Sequence, residues 1–231
     1  MCNSGVSLTP TINGQTFHFV VAGLYDGLFV MKDDKTSTLW NHVTGEGMYG
    51  EHAGTQMPVR NLLQMNADQA VKMDANMRVA ISDRTFSLDG RRSRFKDPDR
   101  KLRPMFIETL GEDDVRRPRM DMGLGVWSEN AHRYYPVATL RSHGDYILDE
   151  FDGEKILIYL DPVTSTPQGI FVAAQEVSFQ DNAIVLDGGR KIVSGQLYGA
   201  HGEATPVKRP LQMFTRWYGF SLTFPNPDIF E

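Results

Sequence analysis

The sequence predicts a mainly β fold, a β-rich α+β protein of two related hairpin-built units with short helices, and three observations predict it. Asn13-Gly14 and Asp152-Gly153 each stand between runs suited to strands, and such pairs accept the positive φ angles of tight hairpin turns. Apolar residues at helical spacing are scarce. A block also recurs: Tyr49-Gly50-Glu51-His52 precedes Pro58-Val59-Arg60-Asn61-Leu62-Leu63-Gln64-Met65, as Tyr198-Gly199-Ala200-His201 precedes Pro206-Val207-Lys208-Arg209-Pro210-Leu211-Gln212-Met213. Five of the eight positions in the longer block are identical, and the spacing from histidine to final methionine is 13 residues against 12, which points to an internal duplication.

Taken in chain order, Val6 to Ile12 and Thr16 to Val21 are expected to form the first hairpin about Asn13-Gly14. Phe17, Phe19 and Val21 then point to one face, and His18 and Val20 to the other. Asn66 and Gln69 have the spacing of a capping box, opening a short helix whose apolar face is Ala67, Ala70, Val71 and Met73. Residues 91–119 hold ten Lys and Arg and six Asp and Glu, broken by Pro98, Pro104 and Pro118, the pattern of a solvated basic connector. Gly123 to Glu129 and Ala131 to Val137 pair with a turn near Asn130. Tyr146 to Phe151 and Glu154 to Leu160 pair about Asp152-Gly153, and a second helix is expected near Thr215 to Leu222. The expected organisation is a first unit over 1–90, a connector over 91–121 and a second unit over 122–231. The duplication extends backwards, Ser4-Gly5-Val6 onto Gln168-Gly169-Ile170 and Thr16-Phe17-His18-Phe19 onto Glu176-Val177-Ser178-Phe179. The second copy is shorter between its strands, so Trp40, Asn41 and His42 have no counterpart there.

Composition bounds the function. The 231 residues are 41% hydrophobic and 23% charged, enough apolar material for a real core. A net charge of -5 gives no general attraction to nucleic acid, and no apolar run is long enough to span a bilayer directly. The single cysteine, Cys2, rules out an internal disulfide and a four-thiolate zinc site. Met1 to Asn13 is uncharged and lacks the basic and apolar regions of a secretory signal. Phosphate-loop, nucleophile-elbow and zinc-protease motifs are all missing.

Cys2-Asn3-Ser4-Gly5-Val6, Gly23-Leu24-Tyr25-Asp26-Gly27, Leu39-Trp40-Asn41-His42-Val43-Thr44-Gly45-Glu46-Gly47 and Gly50-Glu51-His52-Ala53-Gly54 resemble a prokaryotic family known as domain of unknown function family 3179. Tyr134-Tyr135-Pro136-Val137 and the closing run from Arg216 to Pro225 carry the same resemblance. It implies a fold but no established reaction. Members of that family typically have a Cys-Pro pair just before the cysteine matching Cys2, and many are exported. The resemblance therefore implies a member whose front strands and first thiol are missing, and an exported or periplasmic setting for a longer product.

Two functional readings follow, from different classes. The first is a non-enzymatic binding or interaction module that takes a protein or small-molecule partner. Its surface is the glycine-rich loop of Trp40, Asn41, His42 and Glu46, with the turn histidines His52 and His201 as further contacts. The second is a metal- or thiol-dependent enzyme in which Cys2, His18, His42 and His52 hold a transition metal such as zinc, copper or iron. For each histidine the plainer reading is an ordinary hydrogen bond on a strand or turn, and for Trp217, Tyr218, Phe220 and Phe224 it is a hydrophobic plug.

Overall fold

In the computed structural model, residues 5–81, 83 and 102–231 are described. The first half gives β1 (Val6–Leu8), β2 (Thr11–Ile12), β3 (Gln15–Thr16), β4 (Phe19–Tyr25), β5 (Leu28–Asp33), β6 (Leu39–Asn41), β7 (Gly47–Tyr49), β8 (Val59–Asn61) and helix α1 (Ala67–Met73). One short helix, α2 (Pro104–Ile107), follows. Then come β9 (Met122–Trp127), β10 (His132–Pro136), α3 (Val137–Ser142), β11 (Tyr146–Phe151), β12 (Glu154–Leu160) and β13 (Pro167–Phe171). The chain closes with β14 (Val177–Gln180), β15 (Ala183–Leu186), β16 (Lys191–Val193), β17 (Gln196–Tyr198), β18 (Ala204–Thr205), β19 (Leu211–Arg216), α4 (Trp217–Thr223) and β20 (Asp228–Ile229). The protein is mainly β, as the sequence predicts.

Two antiparallel meanders dominate, β4-β5-β6-β7 and β14-β15-β16-β17-β18, beside the sheets β11-β12-β13 and β19-β9-β10-β20. The Asp152-Gly153 turn works as expected, with φ of 50° and 79°, and Asp26 and Gly27, for which no turn was expected, take the same form at 51° and 67° between β4 and β5. The first hairpin is shorter than the sequence suggests. Asn13-Gly14 joins only β2 to β3, because β1 pairs instead with β8, Val6 opposite Asn61 and Leu8 opposite Val59.

Helix α1 has its capping box, with the Asn66 side chain accepting from the Gln69 amide and the Gln69 side chain from that of Asn66. Its burial corrects the expected apolar face. Val71 and Met73 are exposed, and Gln69 is the buried residue, donating to both carboxylate oxygens of Asp161 at 3.1 and 3.3 Å. Of the expected connector, 91–101 lie outside the described residues. The later part packs rather than floats: Thr109 O accepts from the Gly27 amide, and Asp114 O accepts from the Trp217 indole at 2.7 Å.

The segments before and after this stretch share a core. Leu28, Val43, Val6 and Val59 pack with Trp127, Tyr134, Met213, Trp217, Phe220 and Phe224. The Asn61 side chain adds a polar stitch, donating to Pro210 O at 2.7 Å and accepting from the Gln212 amide at 3.0 Å. The repeated block sits in two settings: Val59 to Asn61 is strand in the first copy, whereas in the second the strand starts at Leu211. One contact does correspond, since Arg60 lies opposite Ser7 in β1 and the Lys208 carbonyl accepts from the Phe171 amide of β13. Among the described residues no helix is long and apolar enough to cross a membrane.

Two turns share the sequence Asp-x-x-Thr-Ser-Thr. Asp33 closes β5 into β6 and Asp161 closes β12 into β13; each carboxylate accepts from the backbone two and three residues on, and Ser37 and Ser165 take φ of 60° and 54°. Asp33 also accepts from the Thr38 amide and the Trp40 indole, both at 3.0 Å. Burial pushes this carboxyl up, but the bonds from Trp40, Thr36 and Lys35 outweigh it and hold it well below the usual range. A carboxylate depressed in the folded state stabilises above its unfolded pKa of about 3.9, and that contribution is lost as pH falls towards the folded value. Asp33→Asn is therefore expected to lower the unfolding free energy by about 3 kcal/mol at neutral pH. Urea titrations of both proteins should also show part of the loss of stability below about pH 4 missing from the variant.

The aromatic core sets a second constraint. A Cβ at Gly125 would overlap the Phe220 ring, and one at Gly123 would overlap the Tyr134 ring. Gly125→Ala is expected to destabilise by about 1–3 kcal/mol through overpacking, read as a lower denaturant midpoint at unchanged slope.

Candidate functional site

The loop that follows β6 is built by its own hydrogen bonds. The Asn41 side-chain oxygen accepts from the Val43 and Thr44 amides at 2.8 and 3.2 Å, its carbonyl accepts from Gly45, and its amide donates to Glu46 O. Gly45, at φ 74°, supplies the left-handed residue that returns the chain, and the Met57 backbone leaves no room for a side chain there. Gly47 is needed for a different reason, since a Cβ would collide with the His52 carbonyl. The tight turn thus presents His42 from one end of the sheet.

Trp40 is fully buried, which corrects the expectation of an aromatic platform open to a ligand. It packs with Ile12, Phe17 and Met57, and its indole is spent on Asp33. Glu46 is exposed and bridged through the backbone to Gln56, whose side-chain amide donates to Thr44 O. His52 is half-buried, its ring edge-on to Phe17 at 5.4 Å and tilted against Trp40 at 5.9 Å. His201 is exposed in the turn between β17 and β18, where its amide donates to the Glu203 carboxylate. His18 is exposed just before β4, its backbone joined to Asp34. Cys2 lies outside the described residues. The structure gives His18, His42 and His52 separate surroundings, and among the described residues no group of three or more His, Cys, Asp or Glu is placed to hold a metal ion.

His42 stands apart from the others. It is 7% exposed, its ring stacks on Phe29 at 3.9 Å and 22°, and its Nδ1 has no hydrogen-bond partner among the described residues. Burial pulls its pKa below the ordinary histidine value, and a hydrogen bond to the Phe29 backbone opposes this only in part, so the ring is neutral at pH 7. Asn41 and His42 line a cleft of about 160 Å³ with Tyr25, Phe29, Met48 and Leu222. Asp26 also lines it, with a carboxyl that burial raises and the Gly111 backbone partly lowers. His42 and Asp26 are thus both shifted towards their uncharged forms.

Sequence reasoning singled out Asn41 and His42 but missed Phe29, Asp26 and the contribution of α4. Asp26-Gly27 carried a turn signal that places Asp26 at the tip of the β4–β5 hairpin. Nothing local announced that Leu222, far along the chain, would close the cleft.

A histidine whose folded pKa is lowered binds its proton more readily in the unfolded chain, so stability is complete above about pH 6.5 and falls as pH drops through the folded value. His42→Phe should preserve the stacking volume and remove that dependence. The check is the slope of unfolding free energy between pH 5 and about 7, together with an imidazole NMR titration of the parent that shows a midpoint below the ordinary one.

The model of a family described as protein of unknown function (DUF3179) matches residues 1–225 of the 231. No curated protein and no solved structure matches the chain.

Proposed function

We propose, from the premise that this chain belongs to the DUF3179 family of proteins of unknown function, that it is a non-enzymatic binding module whose receptor site is the cleft of Asn41 and His42. The observation that carries this reading is the Nδ1 of His42, buried and without a hydrogen-bond partner among the described residues, on a side chain that lines that cleft. An unsatisfied buried polar atom costs about 1–3 kcal/mol, and a bound donor removes that cost.

A neutral imidazole has one donor and one acceptor nitrogen, and in this reading Nδ1 is the acceptor, held uncharged by burial. Tyr25, Phe29, Met48 and Leu222 supply apolar walls. The cleft compares in volume with a cavity of about 150 Å³ that admits benzene. These features select a ring-sized group bearing an N–H or O–H donor, from a small molecule or from a side chain of a partner protein. Glu46, His52 and His201 serve as outlying contacts in this reading, and Trp40 acts through the backbone it anchors.

The test is an NMR titration of the isotope-labelled full chain with phenol as probe and toluene as apolar control. Phenol should shift the signals of His42 and Phe29 in a saturable way, while toluene binds at least about 5-fold more weakly, the worth of one satisfied hydrogen bond. His42→Phe should erase the difference between the two probes while leaving the fold intact. Equal response to both, or no saturable shift at His42, overturns the reading.

A further inference from the structure

We propose that the outer edge of β4 is an interface between two copies of this chain, strand pairing antiparallel with strand about a two-fold axis. β4 is the end strand of the order β4-β5-β6-β7, so one side of its backbone presents N–H and C=O groups that no strand among the described residues takes up. Its sequence, Phe-Val-Val-Ala-Gly-Leu-Tyr, contains no charge and no proline over seven residues.

The other ends of the larger sheets differ: β11 carries Asp149 and Glu150, β19 ends in Arg216 and is buried or half-buried, β13 opens with Pro167 and is mostly buried, β14 is four residues long, β7 is three, and β20 is two and contains Asp228. Against that background β4 is the end strand that combines length with an uncharged edge. A bulge between Val21 and Gly23 disturbs its ladder with β5 but adds no polar side chain.

The side chains agree with the backbone. Val20, Val21, Leu24 and Tyr25 are 61%, 68%, 49% and 58% exposed, and Phe29 beside Leu24 is 41% exposed. With aromatic side chains burying roughly 150–250 Å² each, this strip amounts to about 500 Å² per copy. A pair would remove about 1,000 Å², where specific interfaces begin. A charged peptide would find no counter-charge on the strip and would lose hydration for nothing in return. A second copy brings the same uncharged strip, and antiparallel pairing about a two-fold makes it self-complementary.

Sedimentation velocity of the full chain over a range of micromolar concentrations tests this, alongside Val21→Lys and Leu24→Lys. Both positions are exposed, so a lysine is compatible with the fold, and circular dichroism verifies it. The expected result is a dimer for the parent, loss of the dimer in each variant, and β4 amides whose hydrogen exchange is slow in the parent and fast in the variants. A parent that stays monomeric, or a dimer that survives both substitutions, overturns the proposal. So does a monomer with slowly exchanging β4 amides, which would assign the edge to another part of the same chain.

Discussion

The carboxylate of Asp33 is buried at the end of β5, and a charge in that position persists only if its oxygens are surrounded by donors. The turn it closes supplies the Lys35, Thr36 and Thr38 amides and the Thr36 hydroxyl, and the next strand supplies the Trp40 indole. The indole is thereby drawn inside, and the path of the chain through Asn41 to His42 follows from it. The same turn at Asp161 directs its spare capacity elsewhere. It has no tryptophan partner and takes the Gln69 amide of α1 instead, while Thr166 donates to Gln64 O. One local device thus does two jobs: near Asp33 it fixes the loop that carries the candidate site, and near Asp161 it ties the first half of the chain to the second.

What was legible in the sequence was whatever local chemistry decides. Asp152-Gly153 and the Asn66–Gln69 capping box can be read from a few residues because their partners lie within a few residues. Pairing of β1 with β8 cannot, since Val6 and Asn61 are far apart along the chain and the alternating pattern after Val6 is equally consistent with a continuous first hairpin. Trp40 shows the same limit in the site. An aromatic residue on a glycine-rich loop reads as a surface platform until the buried acceptor seven residues earlier is recognised. The hidden clue was the repeated Asp-x-x-Thr-Ser-Thr, whose carboxylate needs a donor. For His42 the titratable ring is legible but its surroundings are not, because Phe29 stacks on it from another strand and Leu222 joins the cleft from a distant helix.

The proposed duplication bears on how the two halves differ. Lys208 meets Phe171 as Arg60 meets Ser7, and both meanders are antiparallel. Yet the covering of the two meanders is unequal. Ile184, Leu186, Ile192 and Leu197 of the second pack against Leu157, Tyr159 and Ile170 of the sheet β11-β12-β13. The first packs against the short strands around Leu8 and Ile12 in a small cluster centred on Phe17, Trp40 and Met57, and at its Leu28 end joins the core of Trp217 and Phe220. β4 is exposed along most of its length, as is the shorter β14 that ends the second meander, whereas Ile156 to Leu160 of β12 are buried.

Phe29 is where the edge and the cleft meet. On β5 it lies directly opposite Leu24 of the edge strand, and its ring stacks on His42. One face of the ring is thus taken by His42, while at 41% exposure the side chain still has surface open to solvent beside the edge strand. A second copy seated on Leu24, as proposed for the edge, would also cover the open side of Phe29, and so would bear on the wall that Phe29 and His42 share.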